Sequence, residues 1–293
     1  MPKMIRRHPA MGPATEEPAE SLAELYHENS KWRRLPGARV QAVVEFTPTE
    51  LRAMARAFRH YRLHPHIALP PPDTWPEPGL TFDEVVEARR SGRDFSDAPI
   101  DLAGLAKMLH QAVGITGQFD AGHGIVRPLR AAPSAGGLYP TELYLVVHRV
   151  AGLEPGLYHY NVPQHAVALL SAGDVSDAVC AAFAGQESAR GASFVVIIAG
   201  IMGRTRRKYG ERGYRYVLME AGHLAQNLLL SATALGYAAF TTGGFFDEYL
   251  NALLRLDGID ETVLYCALVG QPGATEVEDL RSRLDDTGAH TDH

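Results

Sequence analysis

The sequence predicts an α+β fold, with one mixed sheet and helices on both sides of it. Three observations carry that expectation. Apolar, strand-like runs such as "SFVVIIAGI" and "TVLYCALVG" alternate with segments whose apolar residues recur at helical spacing. The runs keep no strict βαβα rhythm, which argues against a doubly wound sheet. One segment, "YRYVLMEAGHLAQNLLLSATALG", is apolar over so wide an arc that it predicts a central helix or one at a subunit interface.

The elements follow in order. Residues 1–20 are Pro-rich and polar and read as a flexible arm. "SLAELYHENSKW" sets Leu22, Leu25 and Tyr26 at helical spacing. "TPTELRAMARAFRHYRL" opens with a capping box, Thr47 with Glu50, and continues through Leu51, Met54, Ala55 and Phe58. Residues 21–69 therefore read as an N-terminal helical region. The prolines of 70–80 predict a stiff linker and a boundary.

Residues 81–275 form the main domain. "TFDEVVEARRSGRDFSD" predicts a capped helix ending at Ser91-Gly92. "DLAGLAKMLHQAVGITG" predicts a second helix, closed by Gly114 or Gly117. "LYLVVHRV" is a strand, and "GLYHYN" with "HAVALLS" a hairpin around Val162-Pro163-Gln164. A helix over "DVSDAVCAAFAG", the strand "SFVVIIAGI" and the long helix come next. "YAAFTTGG" is a strand entering a glycine turn, "FDEYLNALLRL" a helix and "TVLYCALVG" the last strand. Residues 276–293 are an acidic tail.

Bulk properties narrow the function. The 293 residues carry a net charge of −6, which excludes a general nucleic-acid binder. Cys180 and Cys266 sit in apolar runs without a C-x-x-C, as buried free thiols of a reducing cytoplasm do. No apolar run is long enough to span a bilayer. There is no G-x-G-x-x-G, no P-loop and no H-E-x-x-H. His60, His64 and His66 are spaced like metal ligands, but Pro65 interrupts them and no carboxylate is near, so no metal is expected. Ser134 is not a nucleophile elbow, since Ala132 stands where glycine is needed.

Four stretches could carry chemistry. In "ARRSGRDF", Arg89, Arg90, Ser91 and Arg93 gather forked cations and a hydroxyl, as an anion site or as a solvated helix end. In "APSAGGLYP", prolines stiffen a run of small residues, Ser134, Ala135, Gly136 and Gly137. Its backbone can approach a flat ligand, or it is a plain turn. Gly243 and Gly244 in "TTGGFF" allow another close approach or simply a loop. "RTRRKYGERGYRY" is basic and aromatic. It suits phosphates and bases, a solvated helix entrance, or a catalytic pair among surface charges.

Taken in order, R-x-S-x-R, the P-S-small-G turn, the long helix, the glycine turn and "LVGQP" resemble the nitroreductase family of flavin enzymes. "YHENSKW", "PSAGGLYPTELYLVV" and "GLYHYNVPQHAVALL" are similar to its SagB-type branch, the flavin-dependent dehydrogenases that oxidise thiazolines and oxazolines to azoles in peptide natural products. The resemblance runs from about Ser21, with a gap over the N-terminal helices, to Gln271. It implies a nitroreductase-like fold, an intimate homodimer with the long helix at its interface, and non-covalent FMN. Arg89, Ser91 and Arg93, with Arg90 as a weaker candidate, would hold the phosphate and ribityl chain. Pro133, Ser134, Ala135 and Gly136 would pack on the ring, usually from the neighbouring subunit, and Gly243 and Gly244 would donate N–H groups near its reactive edge. One departure stands out. Relatives close the phosphate site with a basic residue soon after the last strand, whereas the first arginines here are Arg281 and Arg283.

The resemblance also assigns Lys208 and Tyr209 as the catalytic pair. Azole formation removes a hydride from one ring carbon and a proton from its neighbour, so a base is required. Free Lys and Tyr titrate near ~10.4 and ~10, and Arg206 and Arg207 are expected to lower both. Adjacent residues on a helix diverge by about 100°, so convergence predicts a loop, which Gly203, Gly210 and Gly213 allow. The implied substrate is an azoline-containing peptide or a carrier-bound heterocycle. A synthetase-complex partner and oxygen as final acceptor are implied with it. Two other readings stay open, an NAD(P)H-dependent nitro or quinone reductase and a flavin-free scaffold. Residues 21–69 would recognise a peptide or partner, or pack on the catalytic dimer.

Overall fold

A computed structural model describes residues 21–31, 46–184 and 186–275. The arm at 1–20, the tail at 276–293, Arg281 and Arg283 lie outside the described residues. Two compact units are present, residues 1–43 and 44–293. The described part of the first is one helix, α1 (Leu22–Asn29), closed by the Ser30 hydroxyl donating to Tyr26 O.

The second unit begins with α2 (Pro48–Ala55), whose capping box forms as its sequence requires: Thr47 Oγ1 accepts from Glu50 N–H and Glu50 accepts from Thr47 N–H. The helix stops at Ala55, so Phe58 and the histidine segment leave it. β1 (His66–Ala68), α3 (Phe82–Ala88) and α4 (Leu102–Val113) come next in the chain. A two-stranded hairpin, β2 (Ile115–Asp120) and β3 (Val126–Arg130), follows. Next come β4 (Thr141–Val147), β5 (Gly156–Asn161), β6 (Ala166–Ala172), α5 (Ser176–Ala182), α6 (Ser188–Gly191) and β7 (Phe194–Ile201). α7 (Met202–Tyr209), α8 (Arg212–Ala234), β8 (Ala238–Thr242), α9 (Asp247–Leu254) and β9 (Glu261–Gly270) complete it.

Seven strands form one sheet in the order β1-β6-β5-β4-β7-β9-β8. Every pairing is antiparallel, where a mixed sheet was expected. The α+β class itself holds. Alternate residues of each strand face opposite sides, so two cores form. Leu143, Leu145, Val196 and Ile198 face α4 and α8, meeting Leu105, Met108, Leu224 and Leu228. Tyr144, Val146, Val195 and Ile197 face α5 and α9, meeting Val179, Phe183, Leu250 and Leu254.

Three expectations change. The helix over "TFDEVVEARRSG" ends at Ala88, because Arg89 turns to extended ψ and Gly92 N–H bonds Ala239 O of β8. Residues 70–80 do not set a body apart. β1 pairs with β6 in the main sheet, and Lys107 Nζ donates to Pro76 O at 2.6 Å, which ties the Pro-rich run to α4. The helix before Gly114 gives way to the β2–β3 hairpin, so Gly117 lies in a strand. Among the described residues, no helix is long and apolar enough to cross a membrane.

Candidate functional site

The site grows from the end of the sheet where β4 starts and β7 stops. Thr141 pairs with Gly200 there. The chain enters β4 through the turn Pro133–Pro140, and its backbone explains the small residues. Gly136 has φ +65°, a conformation open to glycine. Tyr139 has φ +45° despite its side chain. It is held there from three sides: Arg130 N–H donates to its hydroxyl at 3.0 Å, the Arg130 guanidinium lies 4.6 Å over its ring, and Arg204 donates to its carbonyl at 2.9 Å. Ser134 Oγ accepts from Tyr139 N–H at 2.9 Å, which closes the turn.

β7 feeds directly into α7, and Lys208 and Tyr209 are its last two residues. The expected loop is therefore not there. The pair converges because both side chains are long and both reach the same glycine. A Cβ on Gly136 would lie 2.8 Å from the Tyr209 hydroxyl and 3.1 Å from Lys208 Nζ. Gly210, at φ +56°, ends the helix just behind them and lets α8 begin.

Their electrostatics also depart from expectation. Arg206 pairs with Glu211 at 2.6 Å, and Arg207 pairs with Glu50. Neither acts on the pair. The Lys208 ammonium is disfavoured first by burial and then by Arg127, so its pKa falls below the ordinary lysine value. Tyr209 moves the other way: burial first, and then Tyr216, raise it. Tyr216 stands edge-on to Tyr209 at 4.9 Å between ring centroids. Arg127 itself donates to the carbonyl of Gly137 and so braces the turn. One residue thus shapes both halves of this corner, and nothing in its sequence spacing marks it.

Behind the turn lies a buried charge network. Glu142 meets His159 Nε2 at 3.0 Å and Arg204 Nη2 at 2.7 Å. Burial alone would raise its carboxyl, but His159, Arg204 and Arg130 together bring it down to about 2. Glu220 on α8 is 3% exposed and accepts from Thr141 Oγ1 at 2.8 Å, while its second oxygen has no partner.

The remaining predicted residues sit elsewhere. Ser91 and Arg93 are exposed beside β8, fixed by the Gly92–Ala239 bond, with Arg93 5.1 Å over the Phe240 ring. Arg89 is the C-cap of α3, and Arg90 donates to the carbonyls of Glu87 and Arg89. Gly243 and Gly244 are exposed past the end of β8; the N–H of Gly244 is taken by Thr242 Oγ1 at 3.0 Å. A Cβ on Gly243 would meet no atom within 4 Å. Within one chain the arginine group and the turn do not meet. β4 and β8 are three strand steps apart, about 14 Å at ordinary spacing.

His64 and His66 each bond a backbone carbonyl, of Leu169 and Tyr61. Among the described residues, no three His, Cys, Asp or Glu side chains could hold a metal ion. Cys180 and Cys266 are buried free thiols.

Helices pack on both faces of one sheet, with a glycine-cradled corner at one end and an exposed Arg-Ser-Arg group beside β8, an arrangement of the nitroreductase-like α+β class. The nitroreductase family model matches residues 86–271, and the chain belongs to that family. It is 36% identical over 177 residues to the nitroreductase-like protein MJ1384 of Methanocaldococcus jannaschii, covering 60% of this chain and 85% of that one. It is 29% identical over 133 residues to the microcin B17-processing protein McbC of Escherichia coli, covering 44% of this chain and 49% of that one. A crystal structure of a nitroreductase-like protein from Anabaena variabilis superposes with a TM-score of 0.66 at 26% identity, covering 87% of this chain and 49% of that chain. The chain thus spans about half the length of two of these three. Peptide-processing proteins are thus among its relatives, beside nitroreductase-like ones.

Proposed function

We propose that the protein is an FMN-dependent dehydrogenase that oxidises thiazoline or oxazoline rings to azoles during peptide maturation. The observation that carries this is the convergence of Lys208 and Tyr209 on the Gly136 cradle. The residues present fit the cofactor. Arg89, Ser91 and Arg93 are the donor set a phosphate dianion takes. Gly243 leaves open room at the backbone, since a Cβ there would meet no atom within 4 Å.

Bound FMN supplies a hydride acceptor. The protein's own task is the proton. Lys208, with a lowered pKa, is the base: its Nζ takes the proton from the ring carbon next to the one that gives up the hydride. Tyr209, with a raised pKa, stays a phenol and donates a hydrogen bond that orients or polarises the substrate. Two hydrogens leave the ring, one as hydride and one as the proton on Lys208.

The separation of the two halves supports a site shared between subunits, with the turn of one chain completing the arginine group of another. α8 carries exposed apolar residues for such a dimer, Leu218 at 44% and Met219 at 56% exposure. A synthetase partner that delivers the azoline peptide belongs to the same reading.

Lys208→Ala and Tyr209→Phe are expected to keep the yellow, FMN-loaded protein. They should lose the two-hydrogen mass decrease on a thiazoline peptide, Lys208→Ala by about 100-fold or more, the usual loss for a general base. Full activity in both variants refutes the assignment. The similarity to the archaeal nitroreductase-like protein favours one other reading, reduction of nitroarenes by NADPH. Rapid turnover of that pair, with no action on azolines, would establish it.

A further inference from the structure

Beside the catalytic corner lies a cavity of 270 Å³ between α2 and α7. Phe46, Ala53, Met54, Ala57 and Leu138 give it apolar walls, and Gly203 opens one side. It shares those walls with the site. Lys208 Nζ lies 5.3 Å from the centroid of the Phe46 ring, and Leu138 directly follows the Gly136-Gly137 turn.

The charged groups at its edge are already spent. Glu50 receives Arg207 and caps α2 through Thr47 N–H at 2.8 Å. Arg204 is divided between Glu142 at 2.7 Å and Tyr139 O at 2.9 Å. A ligand here finds neither an uncommitted cation nor an uncommitted carboxylate. The chemistry that remains is apolar contact, and the volume is that of a side chain rather than of a whole cofactor.

We infer that this cavity receives an apolar side chain of the substrate peptide, next to the ring on which Lys208 and Tyr209 act. The inference rests on the proposed azoline chemistry for its substrate, and on the cavity alone for its selectivity. It makes Gly203 a specificity-determining position. A Cβ there meets no atom within 4 Å, so a larger side chain enters the cavity without displacing the fold.

The test uses two synthetic peptides with one thiazoline each, flanked by Phe or by Gly, and the FMN-loaded protein. The wild type should favour the Phe-flanked peptide about tenfold in kcat/KM, the scale set by burying one large apolar side chain. Gly203→Leu should abolish that preference, read as the ratio of the two kcat/KM values; Gly203→Ala should keep it. Fluorescence anisotropy of the corresponding labelled thiazole peptides reads binding without turnover and should give the same ranking. An unchanged ratio in Gly203→Leu, or no Phe preference in either assay, overturns the cavity's role while azoline oxidation stands. A Phe preference in binding that Gly203→Leu removes, with neither peptide oxidised, upholds the cavity and overturns the chemistry.

Discussion

Lys208 and Tyr209 are neighbours in sequence, share one environment and are pushed in opposite directions by it. Burial disfavours whichever form is charged, so it lowers an ammonium and raises a phenol. In the proposed reaction this divides the labour between base and donor. A pH profile follows. Activity should rise with pH as Lys208 loses its proton, on a limb below the ordinary lysine value of about 10.5. Arg127→Met removes the cation that helps disfavour the ammonium. The limb should then move to higher pH, by part of the shift only, because burial is the larger cause. A limb that stays in place while activity persists excludes Arg127 from tuning Lys208.

At the same scale Glu142 makes a prediction about stability. Its carboxyl is at about 2 in the folded protein against 4.5 as a free group. Its contribution is complete above pH 4.5 and fades as pH falls from there toward 2. Glu142→Gln removes the buried carboxylate that His159 and the half-buried Arg204 share and should cost about 3 kcal/mol, read by denaturant unfolding at neutral pH. The variant's stability should also vary less than the wild type's between pH 5 and pH 2. Lys208 and Tyr209 can be singled out from the sequence because they are adjacent in a motif, and the structure brings both side chains to Gly136. Arg127, Tyr216 and Glu142 cannot, because distant strands and helices bring them in and no spacing announces them. The adjacent arginines misled for the converse reason: nearness in sequence said nothing of Glu211 and Glu50, which bind them.

At the scale of elements, long periodic segments were readable and short ones were not. α8, β7 and β9 fall where their apolar patterns put them. The β2–β3 hairpin was missed although Gly122 and Gly124, at φ +90° and +66°, make its turn. Its strands are half exposed and carry Arg127, Pro128 and Arg130, so the apolar alternation is weak. β1 was missed because three residues gain their strand character only by pairing with β6. α7 shows the opposite case. It was read as a loop for its glycines, yet it is helical, and only Gly210 needs glycine's freedom. Gly203 therefore weakens the helix it sits in. Gly203→Ala should stabilise the protein by roughly 0.5 kcal/mol, raising the calorimetric midpoint by about 1–2 °C. A fall in the midpoint would mean that the open space beside Gly203 is filled in solution.

For the whole molecule, the two parts of the proposed site stand apart within one chain. The turn, Lys208 and Tyr209 lie where β4 starts and β7 stops; Arg89, Ser91 and Arg93 lie beside β8, at the sheet's edge. A single flavin bridging them within one chain would have to reach past β7 and β9. Two chains packed through α8 would remove that demand, and Leu218 and Met219, exposed on α8 with Tyr214, give them an apolar face to pack with. A carboxylate in that face would be desolvated without a partner on dimer formation. Leu218→Glu with Met219→Glu should therefore convert a dimer into a folded monomer, read by sedimentation velocity and circular dichroism. If the cofactor is held between chains, the monomer should emerge colourless and regain little absorbance near 450 nm with added FMN. A monomer that binds FMN in a 1:1 ratio as tightly as the wild type would place the whole flavin site within one chain.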